Sequence, residues 1–152
     1  MIDPPNIDRQ PRFTRVAIQR GAPAYLTCRA SGVPEVEFIW YIQRRPEEKM
    51  KKVGLEHRNR GETVEPSEHI KDQDRRFEQF YESNLYLDNV RSEHYTSVFR
   101  CEASNKYGTD YHDIEVKKQY FKRKIFFKKL FFFLVKSSLK LGTSIKLFLH
   151  AM

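Results

Sequence analysis

At 152 residues with a formal charge of +8, the chain has room for one ordinary domain, and two would be crowded. The charge is not spread along it. From Lys117 to Met152 there are ten Lys or Arg residues and no Asp or Glu, which leaves 18 basic against 20 acidic residues in 1–116, a net of −2. The excess therefore gives no support to a nucleic-acid surface on the main body, and no nucleic-acid partner is expected.

Residues 2–12 carry Pro4, Pro5 and Pro11 and read as an incoming linker (1–10) or a frayed edge strand. Val16 and Ile18 alternate until Gly21 breaks the run. Leu26, Cys28 and Ala30 then share one face, the period-two signal of a half-buried strand, and Ser31–Pro34 reads as a turn. Phe38, Trp40 and Ile42 line one face of the next strand, with Tyr41 and Gln43 on the other. Residues 44–75 are rich in charge and lack a period. They read as a long solvated excursion with one or two short edge strands around Lys51–Leu55, longer than the usual connection between strands. Regular spacing resumes at Phe77, and Phe80, Leu85, Leu87 and Val90 supply apolar positions. Val98–Ala103 leads through Cys101, Asn105–Gly108 is a hairpin turn, and Tyr111–Val116 is a final strand. Seven or so short strands with no convincing helix predict an all-β sandwich.

Two cysteines permit at most one intramolecular bridge, which would persist only in an oxidising compartment. Met1–Pro5 lacks the charged start and apolar run of a secretory leader. Two readings stay open: a segment of a longer secreted or membrane protein, or a cytosolic domain with free thiols.

Motifs for catalysis are missing. No G-x-S-x-G, P-loop or G-x-G-x-x-G occurs in the sequence, so no enzyme chemistry is expected. His57, His69, His94, His112 and His150 stand in no metal-ligand spacing. Asp72, Asp74 and Glu78 lack the glycine and spacing of a calcium loop. No cofactor and no metal are expected. Tyr41, Tyr107 and Tyr111 are candidates for an outward binding surface, where aromatic residues favour interfaces. The charged stretches Arg44–Lys52 and Arg58–Glu68 are a second candidate for partner contact. No Asn is followed by Ser or Thr two positions on, so the chain offers no N-glycosylation acceptor.

Two runs carry a family resemblance. One is Val16, Ile18, Gly21, Leu26, Cys28, Ala30, Gly32 and Pro34, followed by Trp40. The other is Leu85, Leu87 and Val90, followed by Cys101, Ala103, Asn105 and Gly108. Together they resemble an immunoglobulin domain of the intermediate (I-set) type over residues 11–117. The resemblance implies a two-sheet sandwich and a disulfide between Cys28 and Cys101 beside Trp40. Leu26, Leu87 and Phe99 would complete the core. It also implies a binding module of a cell-surface protein, in adhesion or axon-guidance-type recognition at the plasma membrane. Partners would be other immunoglobulin ectodomains, in like or unlike pairs. The alternative is an intracellular I-set domain of a muscle or cytoskeletal scaffold. The chain departs from the family where Phe99 replaces the usual tyrosine two positions before the second cysteine, and where His94 or Tyr95 replaces an expected Asp. A weakened corner is predicted there.

After Val116 the composition changes to Lys, Phe, Leu and Ser. The longest apolar run, Leu130–Val135, is far short of the twenty or so residues of a membrane span. Residues 118–152 therefore read as a basic apolar tail, either read-through or isoform-specific sequence, or else a segment lying on a membrane surface.

Overall fold

The computed structural model describes residues 2–8, 13–70 and 79–120. Among the described residues, ten strands form two five-stranded sheets. The first sheet runs β1 (Asp3–Ile7), β3 (Ala24–Val33), β8 (Phe80–Leu87) and β6 (Glu62–Val64), with β7 (Glu68–Ile70) also on β8. The second runs β2 (Phe13–Ile18), β10 (Gly108–Lys118), β9 (Val98–Asn105), β4 (Glu37–Gln43) and β5 (Lys51–Lys52). All pairings are antiparallel except β2 on β10. These strands belong to a unit spanning Met1–Gln119. The sequence from residue 121 onward, with its expected read-through or membrane-surface character, lies outside the described residues, as do Asp72, Asp74, Phe77 and Glu78.

The two sheets face each other because alternation along each central strand puts one apolar row inside. Leu26, Cys28 and Ala30 of β3 meet Phe99, Cys101 and Ala103 of β9, and all six are buried. Cys28 and Cys101 form a disulfide, with Sγ atoms 2.07 Å and Cα atoms 6.3 Å apart. Ser83 stands opposite Cys28 in register and Trp40 stands opposite Cys101. The Trp40 indole Nε1–H donates to Ser83 Oγ at 3.0 Å. The core is thus crossed twice side by side, once by sulfur and once by a hydrogen bond that satisfies both buried polar groups. Leu26 and Leu87 are 2 % and 0 % exposed, and Phe99 is 0 % exposed.

Four local features differ from the sequence reading. The stretch 1–10, read as linker, contains β1, whose Pro5 and Ile7 are buried and which pairs with β3. Here the edge-strand alternative describes the structure, since an edge strand tolerates proline. The expected turn at Ser31–Pro34 starts later. β3 continues to Val33 because small Ala30 and Gly32 keep the inward alternation going, and a Cβ on Gly32 would come within 2.7 Å of Val36 Cγ2. The excursion 44–75 is not simply solvated. It holds β5, β6, β7 and a one-turn helix, α1 (Leu55–Arg58), and it places Glu62 and His57 in buried positions. A 3-10 turn, Ser92–Thr96, also stands where no helix was expected.

The corner predicted to be weak has other ties. Phe99 faces the core without a hydroxyl, but the Tyr95 hydroxyl, from the 3-10 turn, donates to the Ile18 carbonyl at 3.1 Å. Glu62 on β6 lies 1 % exposed. It accepts from Arg44 Nη2 at 3.0 and 2.9 Å, and from His94 Nε2 at 3.1 Å. Arg44 follows β4 in one sheet and Glu62 belongs to the other, so this network joins the sheets at one pole.

Candidate interaction face

The outward face of the β2–β10–β9–β4–β5 sheet is built by the same alternation that fills the core. With Trp40 and Ile42 inside, Ile39 and Tyr41 point out; with Phe99 and Cys101 inside, Arg100 and Glu102 point out. Ile114 and Val116 inside leave Tyr111 and Asp113 outside. Register arranges these into two rows across the strands. Lys52, Tyr41, Arg100, Asp113 and Phe13 form one, and Ile39, Glu102 and Tyr111 form the next.

Arg100 is the hub. Its Nε and Nη2 donate to the two Asp113 carboxylate oxygens at 2.6 and 2.8 Å. Its guanidinium carbon lies 4.2 Å from the Tyr111 ring centroid. The paired fork and the stack hold a flat cationic group against an aromatic ring, a geometry suited to interfaces. The Asp113 hydrogen bond is the main reason the Arg100 guanidinium is held above its ordinary range, with burial working against it. The Tyr41 hydroxyl donates to Glu102 Oε1 at 3.5 Å. Burial first, then the Glu102 charge and hydrogen bond, push the Tyr41 phenol up, so it remains a donor.

Of the three tyrosines singled out in the sequence, the sheet brings Tyr41 and Tyr111 onto adjacent rows. Tyr107 stands apart, in the β9–β10 turn, 41 % exposed and with Lys106 Nζ 4.9 Å from its ring. Arg100, the residue that organises the face, was not singled out. Its only sequence signal is a place one residue before Cys101, which makes it outward-facing if Cys101 is inward. A second aromatic pair, Tyr25 and Tyr86 at 4.8 Å, lies on the opposite sheet, with Tyr25 58 % exposed.

The pole cluster also gathers groups of metal-binding type. Donor atoms of Glu62, Glu93 and His94 lie within 4.8 Å of one another. Their hydrogen bonding does not fit a metal. His94 Nδ1 accepts from the Arg91 backbone N–H at 3.1 Å, so the ring proton sits on Nε2 and is donated to Glu62, leaving Nε2 no lone pair. Arg44 balances the Glu62 charge, with its Nη1 3.6 Å from Glu93. Burial pushes the Glu62 carboxyl up. The His94 hydrogen bond and the Arg44 charge and hydrogen bond outweigh it, and the carboxyl is held below its usual value.

Residues 4–105 match the immunoglobulin domain family. No curated protein matches the chain. Among solved structures, the titin M10–obscurin-like 1 Ig complex is similar at 23 % identity and a TM-score of 0.50, covering 77 % of this chain and 95 % of that one. The N-terminal four Ig domains of Dscam1 isoform 4.44 are similar at 13 % identity and a TM-score of 0.57, covering 78 % of this chain. This chain spans about a quarter of that one, the match covering 26 % of it. Rst D1-D2 is similar at 18 % identity and a TM-score of 0.55, covering 77 % of this chain and 50 % of the other. At such identities the likeness speaks for the fold. With the two sheets, the cross-core disulfide and the family match over 4–105 in hand, the chain belongs to the immunoglobulin domain family.

Proposed function

We propose that this chain is a non-enzymatic protein-binding module of the I-set type from a cell-surface immunoglobulin-superfamily protein. It would act in adhesion or axon-guidance-type recognition through the outward face around Arg100. The module runs from β1 at Asp3 to the end of β10 at Lys118, with 44–75 as part of it, and the sequence that follows is basic and apolar in composition. The observation that carries this reading is the Arg100–Asp113–Tyr111 arrangement beside Tyr41, which presents aromatic and cationic surface already fixed in place. Side chains ordered before contact lose less entropy on binding. The partner is another immunoglobulin ectodomain, its affinity for a modest interface multiplied by neighbouring domains. The likeness to the four Ig domains of Dscam1 agrees with a module that works in series.

A second reading, an intracellular scaffold domain, draws on the likeness to the titin M10–obscurin-like 1 Ig complex. The thiols separate the two. Native material is alkylated with and without reductant and read by mass spectrometry. A cell-surface module shows Cys28 and Cys101 alkylated only after reduction. Alkylation of both without reductant would overturn the extracellular reading.

A further inference from the structure

Two short helical turns at one pole of the sandwich are capped in the same unusual way. In α1, His57 Nδ1 accepts from the Gly54 backbone N–H at 3.1 Å. In the 3-10 turn, His94 Nδ1 accepts from the Arg91 backbone N–H at 3.1 Å. Each histidine stands three residues after the amide it caps, where a Glu or Gln more often reaches back to that N–H. Both rings are buried, at 7 % and 0 % exposure. The turns share one pole: α1 leads through Gly61 into β6, Asp88 N–H at the end of β8 donates to the Gly61 carbonyl at 2.9 Å, and Glu62 of β6 takes the His94 Nε2 proton.

A carboxylate or amide in this role gains nothing from a proton in the mild range, whereas an imidazole has its acceptor nitrogen converted to a donor. We propose that this pole is a proton-sensitive corner: a solvent proton added to Nδ1 of His57 or His94 sets N–H against backbone N–H, and the turn it caps opens.

The surrounding charges set what each ring does next. His57 Nδ1 already lies 3.2 Å from Glu56 Oε1, an exposed carboxylate able to take the new N–H, so opening there is a change of partner. Lys51 and Lys52 of the preceding β5 are exposed, and Glu62 on the adjoining β6 is engaged by Arg44 and His94. Facing His94 are Glu62 from β6, Arg44 after β4, and Glu93 of its own turn, the last with Oε1 4.0 Å from Nε2. Phe99 of β9 packs edge-on at 6.1 Å. β10 also packs against that turn; its Glu115 is paired with Lys117 at 2.7 Å and Arg15 at 3.3 Å, and Lys118 closes the strand. Each of the carboxylates that face His94 lies on the Nε2 side. A proton on Nδ1 therefore breaks the Arg91 cap without a replacement, and the disturbance reaches Tyr95 and its bond to Ile18.

The test follows ring protonation and amide exchange together in the full chain, by NMR from neutral to acid pH. Ring nitrogen shifts report the protons, and exchange of the Gly54 and Arg91 amides reports the caps. Intrinsic amide exchange slows as pH falls. The proposal expects protection at these two amides to drop about fivefold as the neighbouring ring is protonated, the factor a typical net hydrogen bond is worth, while the Trp40 amide stays protected. His57→Gln, whose side-chain carbonyl accepts without titrating, should keep Gly54 protected at neutral pH and abolish its acid step. That variant leaves the His94 network intact, so it serves even if His94→Gln fails to fold. Unchanged protection through ring protonation would overturn the proposal, as would rings that take no proton before the sandwich unfolds, or an acid step that persists in His57→Gln.

Discussion

Removing the Glu62 side chain is the sharpest test of how the two sheets are joined. Glu62→Ala deletes the acceptor for Arg44 Nη2 and for the His94 Nε2–H, both at a site where Glu62 itself is 1 % exposed. Breaking a buried ion pair from one side costs about 3–5 kcal/mol, because the other charge stays buried without its partner. Here the Arg44 side chain keeps 18 % exposure and has Glu93 at 3.6 Å. The cost should fall at the lower end, about 3 kcal/mol, or a melting temperature lower by roughly 12 °C or more for a domain of this size. Urea unfolding of the full chain, followed by Trp40 fluorescence, measures it. The control is Glu48→Ala, which removes an exposed pair with Arg45 at 3.7 Å and 71 % and 37 % side-chain exposure; such pairs contribute about 0–1 kcal/mol. Replacing the pair together, as Arg44→Met with Glu62→Leu, should recover much of the loss. If Glu62→Ala cost no more than Glu48→Ala, the network would add nothing to the disulfide and the Trp40–Ser83 bond in holding the sheets together.

Three further outcomes follow. Because the folded-state Glu62 carboxyl is held below its ordinary value of 4.5, its contribution is complete above that pH and is lost as pH falls through the lower folded-state value. Stability measured against pH should therefore decline on the acid side of about pH 4.5, and the Arg44→Met, Glu62→Leu pair should flatten that limb. Cys28→Ala with Cys101→Ala opens a loop of 73 positions and should cost on the order of 4 kcal/mol in chemical denaturation. Tyr95→Phe removes the hydroxyl bonded to the Ile18 carbonyl. That carbonyl also accepts from the Gln119 N–H at 3.0 Å, so the loss should be about 0.5–1 kcal/mol, seen as faster amide exchange along β2.

What could be read from the sequence was what repeats with period two. Leu26, Cys28 and Ala30, then Phe38, Trp40 and Ile42, announce strands through side chains that must alternate between core and solvent. Alternation puts Cys28, Trp40 and Cys101 on inward faces, and the family resemblance implies that the two cysteines pair beside the indole. Glu62, Arg44 and His94 obey no period. They are charged or polar residues buried because they satisfy one another across distant segments, and a charged stretch without a period reads as solvated loop. The α1 turn has four residues, too few for a helical repeat to show. β1 was obscured by Pro4 and Pro5, which only an edge strand accommodates. Tyr95 stands four positions before Phe99, away from the position at which the family pattern places a tethering hydroxyl. On the outward face, Tyr41 and Tyr111 were legible as residue types. Their contact through Arg100 depends on cross-strand register, which alternation within single strands does not reveal.

The account's central claim is that the Arg100 face binds another immunoglobulin ectodomain. Surface plasmon resonance of the full chain against a panel of such ectodomains, itself included, tests it directly. The account predicts a partner whose affinity falls more than about tenfold when Arg100→Ala and Tyr111→Ala are combined, the two being interface-type residues at the centre of the contact, in a variant whose unfolding midpoint shows it still folded. Binding that survives this double change but is lost with Tyr25→Ala on the opposite sheet would contradict it, as would a panel in which nothing binds.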